Sequence, residues 1–304
     1  MIGLLVMAYG GPDNLEEVEP YLMDVRGYRP TSPEIVREVR ERYREIGGRS
    51  PILERTQAQA DALEAALNAQ GGDFKAFLGM KHWHPFIKDA LTQMCNQRIE
   101  RAVGIVMAPH YSQMSVEAYF KKVEVANLGI QVARINDWHL LPEYLNALAR
   151  RVRSALERFP EAVRGDVPVI FTAHSLPERI LEWDDPYPRQ LHETVEGVMK
   201  ILGTHPHDFA FQSAAISKEP WLGPDASEPI ERFAAEGKRD ILICPIGFVC
   251  EHVEILYDID IVYQNLAKKL GVHLERIDML NDDSEMISGL ARLVHNAAKE
   301  SNWL

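Results

Sequence analysis

Short apolar runs alternate with amphipathic stretches along the whole chain. The apolar runs have the length of β-strands and cover residues 2–8, 74–79, 103–108, 130–135, 167–173, 208–213, 241–246 and 272–277. Between them, apolar positions recur with the helical period in residues 33–46, 54–70, 85–97, 142–158, 190–202, 228–237 and 284–299. Strands that alternate with helices in this way predict an α/β protein, in which helices cover both faces of parallel sheets.

The eight predicted strands could close one barrel or form two four-stranded sheets. A polar connector punctuated by Pro and Gly, residues 159–168, lies near the middle of the chain and leaves four strands on each side. The halves also share a weak internal similarity, because each contains an apolar run that is followed directly by a His. We therefore predict two domains, residues 1–165 and 166–281. The final helix, within residues 282–304, could complete the first domain or fold onto the second.

Composition and charge restrict the class of protein. With 304 residues, of which 46% are hydrophobic and 26% are charged, the chain can bury a large core and has the make-up of a soluble globular protein. The net charge of −12, from 33 basic and 45 acidic residues, argues against nucleic acid or an anionic membrane as the main partner. The sequence has neither an apolar run of about 18 residues nor a secretory signal pattern. We expect a cytoplasmic protein without stable membrane insertion.

The three cysteines, Cys95, Cys244 and Cys250, are odd in number and lack the CxxC spacing. This pattern supports neither a disulfide framework nor a zinc or iron–sulfur site with four Cys ligands. Cys244 lies in a strand-like run and is predicted to belong to the core, whereas Cys250 lies beside a group of acidic residues. We therefore expect no iron–sulfur cluster and no required prosthetic group.

The most informative stretch is ILICPIGFVCEHVEILYDIDIV at residues 241–262. Its apolar run breaks at Gly247, and the acidic segment that follows predicts the start of a helix. Glu254 and Asp258 stand three and seven positions after Glu251, so an α-helix would carry the three acids on one face. Ligands of open α/β sheets bind beyond the carboxyl ends of the strands, where this row would lie. Such a row suits metal binding or proton transfer, although acids also occur at helix starts because of the helix dipole alone.

Three other predicted strands end in polar or aromatic residues. Tyr9 follows the first strand beside a Gly-Gly turn, His110 follows the strand at 103–108, and His174 follows the strand at 167–173. The carboxyl ends of parallel strands lie at one edge of a sheet. We therefore expect these side chains to converge on one cleft together with the acidic segment.

Basic residues are concentrated between the first and second predicted strands. The segment RYREIGGRSP at 42–51 contains Arg42, Tyr43 and Ser50 around a Gly-Gly loop, and Arg26 precedes it. Such arginines suit carboxylates or phosphates on a ligand, although arginines solvated in loops give the same pattern. The glycine spacing matches neither GxGxxG nor a phosphate-binding P-loop, which gives little support to a nucleotide ligand.

Two motifs are informative together, namely TAHSLPE at 172–178 and GFVCEHVEILYDID at 247–260. They resemble the ferrochelatase family, whose members insert ferrous iron into a porphyrin in haem synthesis. Further segments fit the family in order along the chain, namely LLVMAYG (4–10), RYREIGGRSP (42–51), GMKHWHPF (79–86), APHYS (108–112), DPYP (185–188) and PWLGPD (220–225). The resemblance implies two similar Rossmann-like domains of the chelatase type with a porphyrin cleft between them. This agrees with the division of the strands into four and four.

The resemblance also implies roles for individual residues. His174 and Glu254 correspond to the family's paired residues for the metal and for protons, and Asp258 would continue an acidic path towards solvent. Imidazole and carboxylate groups suit this task because both can ligate Fe²⁺ and accept the protons that the pyrrole nitrogens release. Contact with the porphyrin and its propionates is implied for Tyr9, Arg26, Arg42, Tyr43, Ser50 and Tyr119.

The rim arginines and Tyr9 favour coproporphyrin III, with four propionates, over protoporphyrin IX, with two. In the forms that act on coproporphyrin III, the position of Tyr9 holds a Tyr on the macrocycle face opposite the His. The expected partners are the porphyrin and Fe²⁺ as substrates, the expected product is Fe-coproporphyrin for haem b, and the chain is expected to be a monomer. Three alternatives stay open, namely a protoporphyrin IX ferrochelatase, a cobalt or nickel chelatase for another tetrapyrrole, and a porphyrin or haem carrier without turnover.

The chain departs from some relatives at two places. Where those relatives continue the acidic row one turn after Asp258, this chain has Val262, which argues against an outer Mg²⁺ site. The HWHP segment adds His84 near His82, and we expect this pair to be solvated instead of metal-binding. The C-terminal cysteine cluster and the membrane-docking extension of some relatives are not expected here.

Overall fold

The computed structural model describes residues 1–126, 128–215 and 219–304. Its strands are β1 (Ile2–Ala8), β2 (Phe74–Met80), β3 (Arg101–Val106), β4 (Gln131–Ile135), β5 (Val169–His174), β6 (His207–Gln212), β7 (Asp240–Pro245) and β8 (His273–Arg276). They form two parallel four-stranded sheets with the orders β2-β1-β3-β4 and β6-β5-β7-β8. The eight predicted strands are confirmed, and two open sheets are present where one barrel was the alternative.

The central strands of both sheets consist almost wholly of apolar residues. β1 reads IGLLVMA and is buried along its whole length, in parallel register with β2 from Ile2 against Phe74 to Ala8 against Met80. β5 and β7 also bury all of their middle residues. Helices cover both faces of these strands, which explains why the sequence shows continuous apolar runs instead of an alternating pattern.

The α-helices of the described residues connect the strands and cover the sheets. They are α1 (Val18–Val25), α2 (Pro33–Glu45), α3 (Ile52–Ala69), α4 (Ile87–Asn96), α5 (Val116–Ala126), α6 (Pro142–Leu156), α7 (Tyr187–Leu202), α8 (Ser227–Ala235), α9 (Gln264–Leu270) and α10 (Ser284–Glu300). The seven predicted helices correspond to α2, α3, α4, α6, α7, α8 and α10. Within this part of the chain, no helix has both the length and the apolar character that a membrane span requires.

A π-helix, Glu254–Tyr263, follows β7 and continues directly into α9. The sequence correctly predicted the start of a helix here, but an α-helix was expected. A π-helix closes each hydrogen-bonded turn over five residues instead of four, and this rare form is often found at functional sites. Short 3-10 helices lie at Leu15–Glu17, Glu161–Asp166 and Glu178–Trp183, and the second of these occupies the predicted connector.

One buried apolar cluster runs between the two sheets. It includes Leu4 and Val103 from the first sheet and Phe171 from the second. α6 contacts α7, α10 and β7, and the hydroxyl of its Tyr144 donates to the carbonyl of Ile246. α10 packs on α3, α6, β3 and β4, so it covers the first sheet. Because the buried cluster is continuous, the domain boundaries proposed from the sequence stay a prediction.

Both sheets reverse their strand order at the same point. In the first sheet β1 has β2 on one side and β3 on the other, and in the second sheet β5 has β6 on one side and β7 on the other. Connections from neighbouring strands therefore leave in opposite directions, and a crevice opens at the carboxyl ends of these strands. Tyr9 lies at the end of β1, and His174 is the last residue of β5.

Candidate active site

A cleft of about 300 Å³ lies at the carboxyl ends of the central strands of both sheets. Its wall is formed by the segments that follow β1, β2, β3, β5 and β7, by the beginning of α3, and by single residues of α1, α2, α5 and α7. The residues predicted from the sequence to line the cleft that lie in this wall are Tyr9, Tyr43, Ser50, His110, Tyr119, His174 and Glu254. Residues from both halves of the chain therefore meet in one cleft.

His174 is held at the end of β5 by both of its ring nitrogens. Its Nδ1 contacts the carbonyl of Ser175, so this nitrogen carries a proton and donates it. Its Nε2 lies 3.5 Å from Oε1 of Glu254. Burial alone would lower the pKa of His174, but the nearby charge and hydrogen bond of Glu254 outweigh burial and raise this pKa to about 9. The imidazole is therefore protonated at neutral pH.

Glu254 begins the π-helix and stands between two histidines. Its Oε2 lies 3.6 Å from Nε2 of His252, while Oε1 faces His174. Burial alone would raise the pKa of Glu254, but His174 and His252 lower it far below the usual range of a carboxylic acid. The wall of the cleft thus holds an imidazolium beside a carboxylate, a pair that can exchange protons and that provides nitrogen and oxygen ligands for a metal ion.

The prediction of three acids in one row is wrong for Glu251. This residue precedes the helix, and its Oε2 lies 3.4 Å from Nε of Arg55 on α3. Asp258 does lie on the same π-helix as Glu254, accepts a hydrogen bond from the hydroxyl of Ser213, and stands behind the wall of the cleft. Burial raises the pKa of Asp258 to about 6, with a further contribution from the charge of Glu254. The row therefore contains two acids instead of three.

Tyr9 is in the wall provided by the N-terminal half. Its ring packs on the ring of His82 with the centroids 4.7 Å apart, and the residue lines the cleft. Burial and the negative charges of Glu254 and Asp24 raise the pKa of Tyr9 far above the usual value. The phenol is therefore neutral over the whole physiological range.

The two predicted arginines lie outside the wall of the cleft. Arg26 is exposed at the end of α1. Arg42 on α2 is half-buried, pairs with Glu38 at 2.6 Å and stacks its guanidinium over Tyr257 at 5.4 Å. Because Tyr257 belongs to the π-helix, Arg42 lies on the side of that helix. Its charge partly offsets the rise in the pKa of Asp258. Contact with a ligand in the cleft thus stays a prediction for both arginines.

Lys81 is a basic residue of the cleft that the sequence patterns did not indicate. Its Nζ lies 5.0 Å above the ring of Tyr119 and 5.7 Å above that of Tyr9. Burial, together with the charge of Lys122, lowers the pKa of Lys81 to about 8. Lys81 belongs to the GMKHWHPF motif, but the sequence does not show that this lysine lies in the wall of the cleft.

Three further residues of the wall stabilise its shape. The Tyr187 hydroxyl donates to the carbonyl of His174 at 2.9 Å. His110 is almost fully buried and its Nε2 lies 2.8 Å from the hydroxyl of Thr194. Phe248 packs on the ring of His252 with the centroids 4.4 Å apart. The first contact supports the end of β5, the second supports the segment after β3, and the third lies within the segment that carries Glu254.

The histidines of the HWHP segment have different surroundings. His82 is buried, and its Nδ1 lies 2.8 Å from Oδ1 of Asp24, so the prediction that it is solvated is wrong. His84 is exposed and packs on Phe86. Neither lies in the wall of the cleft.

The cysteines lie apart from one another in the fold. Cys95 is exposed, Cys244 is buried in β7, and Cys250 is buried in the wall of the cleft. Burial raises the pKa of Cys250 to about 12, with a further contribution from the charge of Glu251. This thiol is therefore protonated at neutral pH and is a poor nucleophile.

Comparison with known proteins gives consistent matches. The family model described as Ferrochelatase matches residues 1–298. A protein named Ferrochelatase from Herpetosiphon aurantiacus is 43% identical over 296 residues, which cover 96% of this chain and 97% of that protein. A protein named Coproporphyrin III ferrochelatase from Listeria innocua is 41% identical over 303 residues, which cover 97% of this chain and 98% of that protein.

A solved structure shares the fold. SirB from Bacillus subtilis with Fe3+ superposes with a TM-score of 0.61 at 9% identity, over 99% of this chain and 98% of that chain. At this identity the likeness concerns the fold alone. The family match, in contrast, extends over nearly the whole sequence and agrees with relatives that align from one end to the other. The chain belongs to the ferrochelatase family.

Proposed function

We propose that this protein inserts Fe²⁺ into coproporphyrin III and forms Fe-coproporphyrin for the biosynthesis of haem b. This makes it a metal-chelating lyase, as the names of its relatives suggest. The observation that carries the proposal is the pair of His174 and Glu254, whose Nε2 and Oε1 atoms lie 3.5 Å apart in the wall of the cleft. Tyr9 borders the same cleft from the other half of the chain.

The metal ion needs ligands that can replace its water. The imidazole of His174 and the carboxylate of Glu254 suit Fe²⁺, and a site with few protein ligands leaves room for the four ring nitrogens that take over the metal. Because the pKa of His174 is about 9, its imidazole is protonated before the metal arrives. Binding of Fe²⁺ at Nε2 therefore releases a proton, and the ionised Glu254 attracts the cation to this point.

Insertion releases two further protons from the pyrrole nitrogens. Glu254 is ionised, and it can accept a proton at the cleft once His174 has given up its own, because the charge of His174 is the main cause that lowers the pKa of Glu254. Asp258 follows Glu254 on the π-helix. Asp258 has a pKa of about 6, which lies close enough to neutral pH for it to take up a proton and release it again. We assign to Glu254 and Asp258 the path by which these protons leave the ring.

The macrocycle is assigned to the space between Tyr9 and the pair of His174 and Glu254. A flat porphyrin keeps its nitrogen lone pairs in the plane of the ring, whereas a bent ring presents them to a metal above one face. A cleft that holds the bent form lowers the barrier to insertion. Tyr43 and Tyr119 suit such a cleft because they line it and are almost fully buried, which restricts their movement.

Positive charge near the cleft supports coproporphyrin III as the substrate. Lys81 lies in the wall, and Arg42 lies beside the neighbouring π-helix. Four propionates gain more from these cations than the two propionates of protoporphyrin IX do. The relative from Listeria innocua, which carries the name Coproporphyrin III ferrochelatase, agrees with this choice.

The test is anaerobic Fe²⁺ insertion with coproporphyrin III and protoporphyrin IX side by side, followed by porphyrin absorbance. We expect kcat/KM to be at least about 10-fold higher for coproporphyrin III. Equal or reversed values would contradict the substrate, and no insertion into either porphyrin would contradict the activity. Parallel assays with Co²⁺ and Ni²⁺ measure the metal preference.

We also propose a cytoplasmic monomer without a resident prosthetic group. One chain supplies residues to all sides of the cleft, and of its three cysteines Cys95 is exposed, whereas Cys244 and Cys250 are buried. Light scattering of the purified protein tests the monomer, and analysis of its iron and acid-labile sulfide tests the absence of a cluster. Cell fractionation tests the compartment.

A further inference from the structure

Glu251 joins the two halves of the molecule behind the cleft. Its Oε2 lies 3.4 Å from Nε of Arg55, which belongs to α3 in the N-terminal half. The side chain of Glu251 is only 18% exposed, and both of these atoms are buried without a hydrogen-bond partner within the described residues. The Arg55 side chain as a whole is 42% exposed, but its Nε faces the Glu251 carboxylate at a point that water screens poorly. Loss of either partner would remove this contact between the two halves, although Arg276 also lies within electrostatic range of Glu251.

A second contact joins α3 to the loop of Glu251 through Asn281, which follows β8. Gln59 on α3 is fully buried and donates from Nε2 to the carbonyl of Asn281 at 2.8 Å. Asn281 accepts from the backbone N–H of Glu251 at 3.3 Å and donates its own N–H to the carbonyl of Val249 at 2.7 Å. Since Arg55 and Gln59 are four residues apart, they lie on the same face of α3. This face therefore holds residues 249–251 directly through Arg55 and indirectly through Gln59 and Asn281.

Both ends of this connection reach the wall of the cleft. The first two turns of α3 contribute Ile52 and Thr56 to the wall. On the other side, the loop continues from Glu251 into His252 and Glu254, which also line the cleft. A shift of α3 against this loop would change the distance between Glu254 and the surface that we assign to the macrocycle.

We propose that the ion pair of Arg55 and Glu251 is a positioning contact that couples porphyrin binding at the start of α3 to the position of Glu254. The inference rests on the proposed function, because it assigns the porphyrin to this cleft. Neither residue lines the cleft, so both act through the loop between them and Glu254. Near-attack geometry is sensitive to small displacements, so a loosened loop slows insertion more than it weakens porphyrin binding.

Two substitutions remove the ion pair with little change in shape. Arg55→Met keeps an unbranched stem without the charge, and Glu251→Gln keeps the planar end of the side chain. In anaerobic Fe²⁺ insertion into coproporphyrin III, we expect each to lower kcat about 10-fold, with the KM for the porphyrin within about 2-fold of wild type. Arg55→Lys retains the charge and should recover kcat to within about 3-fold of wild type.

Arg292→Met is the matched control. It removes the same kind of side chain from a pair that Arg292 on α10 forms with Glu143 on α6 at 2.6 Å. These residues lie outside the wall of the cleft. We expect this variant to keep the kcat of wild type.

Amide hydrogen exchange measures the coupling without turnover. We expect iron-free coproporphyrin III to slow the exchange of residues 249–253 in the wild-type protein, because the ordered wall restrains the loop through α3. In Arg55→Met these amides should exchange faster before the porphyrin is added, and the porphyrin should no longer slow them. The amides of β7 should behave alike in both proteins.

Several results would overturn the inference. A kcat that neither substitution changes would do so, and so would a porphyrin effect on residues 249–253 that persists in Arg55→Met. A loss of kcat that Arg55→Lys fails to recover and that parallels a fall in Tm would show a structural role only. Wild-type protein that binds coproporphyrin III but inserts no metal would contradict the proposed function, whereas the exchange measurement would still decide the coupling.

Discussion

The two halves of the molecule have the same strand order but present different side chains at the ends of their central strands. In the N-terminal half, β1 leads to the neutral phenol of Tyr9, with Lys81 beside it. In the C-terminal half, β5 ends at His174, which faces the ionised Glu254. The shared topology creates the cleft, and the residues after the strands divide its tasks. We call the part of the cleft wall that contains Tyr9 and Lys81 the first wall, and the part that contains His174 and Glu254 the second wall. We assign ring binding to the first wall and metal and proton chemistry to the second.

Two histidines with carboxylate neighbours show how the surroundings set this division. His82 lies 2.8 Å from Asp24, and His174 lies 3.5 Å from Glu254. Burial lowers the pKa of His82 to about 4, although Asp24 opposes the shift. Burial would also lower the pKa of His174, but the charge and hydrogen bond of Glu254, together with the hydrogen bond to Ser175, outweigh burial and raise this pKa to about 9. One histidine is thus a neutral support for the Tyr9 ring, and the other is a protonated group at the cleft.

Removal of the second wall's charged pair should give the largest effect. We expect His174→Ala and Glu254→Gln each to lower the kcat of Fe²⁺ insertion about 1,000-fold, because each removes a proposed metal ligand and Glu254→Gln also removes a carboxylate from the proposed path of the protons. Porphyrin affinity, measured by fluorescence quenching, should stay within about 3-fold of wild type, since the first wall is intact. The measurement is anaerobic insertion followed by absorbance.

The control for these variants is His207→Ala, which removes an exposed histidine at the start of β6. This variant should insert iron at the wild-type rate. If His174→Ala and Glu254→Gln retain wild-type turnover, the assignment of metal and proton chemistry to the second wall is wrong.

The pH dependence should follow Asp258 and His174, because the pKa of each is raised above its usual value. Asp258 accepts protons only when ionised, so kcat should fall as the pH drops through about 6. His174 must lose a proton to bind Fe²⁺, so the apparent affinity for Fe²⁺ should rise with pH up to about 9. Asp258→Asn should lower kcat about 10-fold at neutral pH and remove the fall near pH 6.

A pH profile measured anaerobically for wild type and Asp258→Asn checks this prediction. Asp260→Asn offers a comparison on the same helix, because Asp260 pairs with Arg276 at 2.7 Å and is not in the wall of the cleft. An unchanged acidic limb in Asp258→Asn would exclude Asp258 from the path of the protons.

A change in the first wall should affect binding instead of chemistry. We expect Lys81→Met to raise the KM for coproporphyrin III about 5-fold and to leave kcat within about 2-fold, because an ammonium beside a propionate stabilises bound and reacting porphyrin alike. Lys75→Met, which removes an exposed lysine from β2, serves as the control. A fall in kcat without a change in KM would assign Lys81 to the chemistry of the second wall.

The smallest effect is expected for the hydroxyl of Tyr9. Its raised pKa keeps the phenol neutral, so it is a poor proton acceptor at the pH of the reaction. Tyr9→Phe keeps the ring that packs on His82 and should change kcat less than about 3-fold. Steady-state insertion measures this effect, and a loss as large as that of Glu254→Gln would show that proton chemistry extends to the first wall.

The fold could be predicted from the sequence because its strands are buried on both faces. Continuous apolar runs such as IGLLVMA mark these strands without help from tertiary contacts. α1 and α5 were not indicated. α1 has eight residues with Pro20 in its first turn, and only three of the eleven residues of α5 are buried, so neither has a clear apolar face of the usual length.

The site could be predicted only as far as strand ends and motifs define it. His174, Glu254 and Tyr9 follow central strands, so their convergence follows from the topology of parallel sheets. Glu251 was wrongly placed in a row with Glu254 and Asp258, because the sequence does not reveal that the helix begins at Glu254 or that Arg55 approaches from α3. Lys81 was missed because its position depends on how the segment after β2 turns towards β1.

A single-turnover experiment on both walls tests the division of tasks most directly. Coproporphyrin III is bound first, Fe²⁺ is then mixed in anaerobically, and absorbance gives the rate of insertion beside the Kd of the porphyrin. Glu254→Gln should slow insertion about 1,000-fold with the Kd nearly unchanged, and Lys81→Met should weaken binding about 5-fold with the insertion rate nearly unchanged. The account is contradicted if Glu254→Gln inserts iron at the wild-type rate, or if both variants lose binding and insertion in the same proportion.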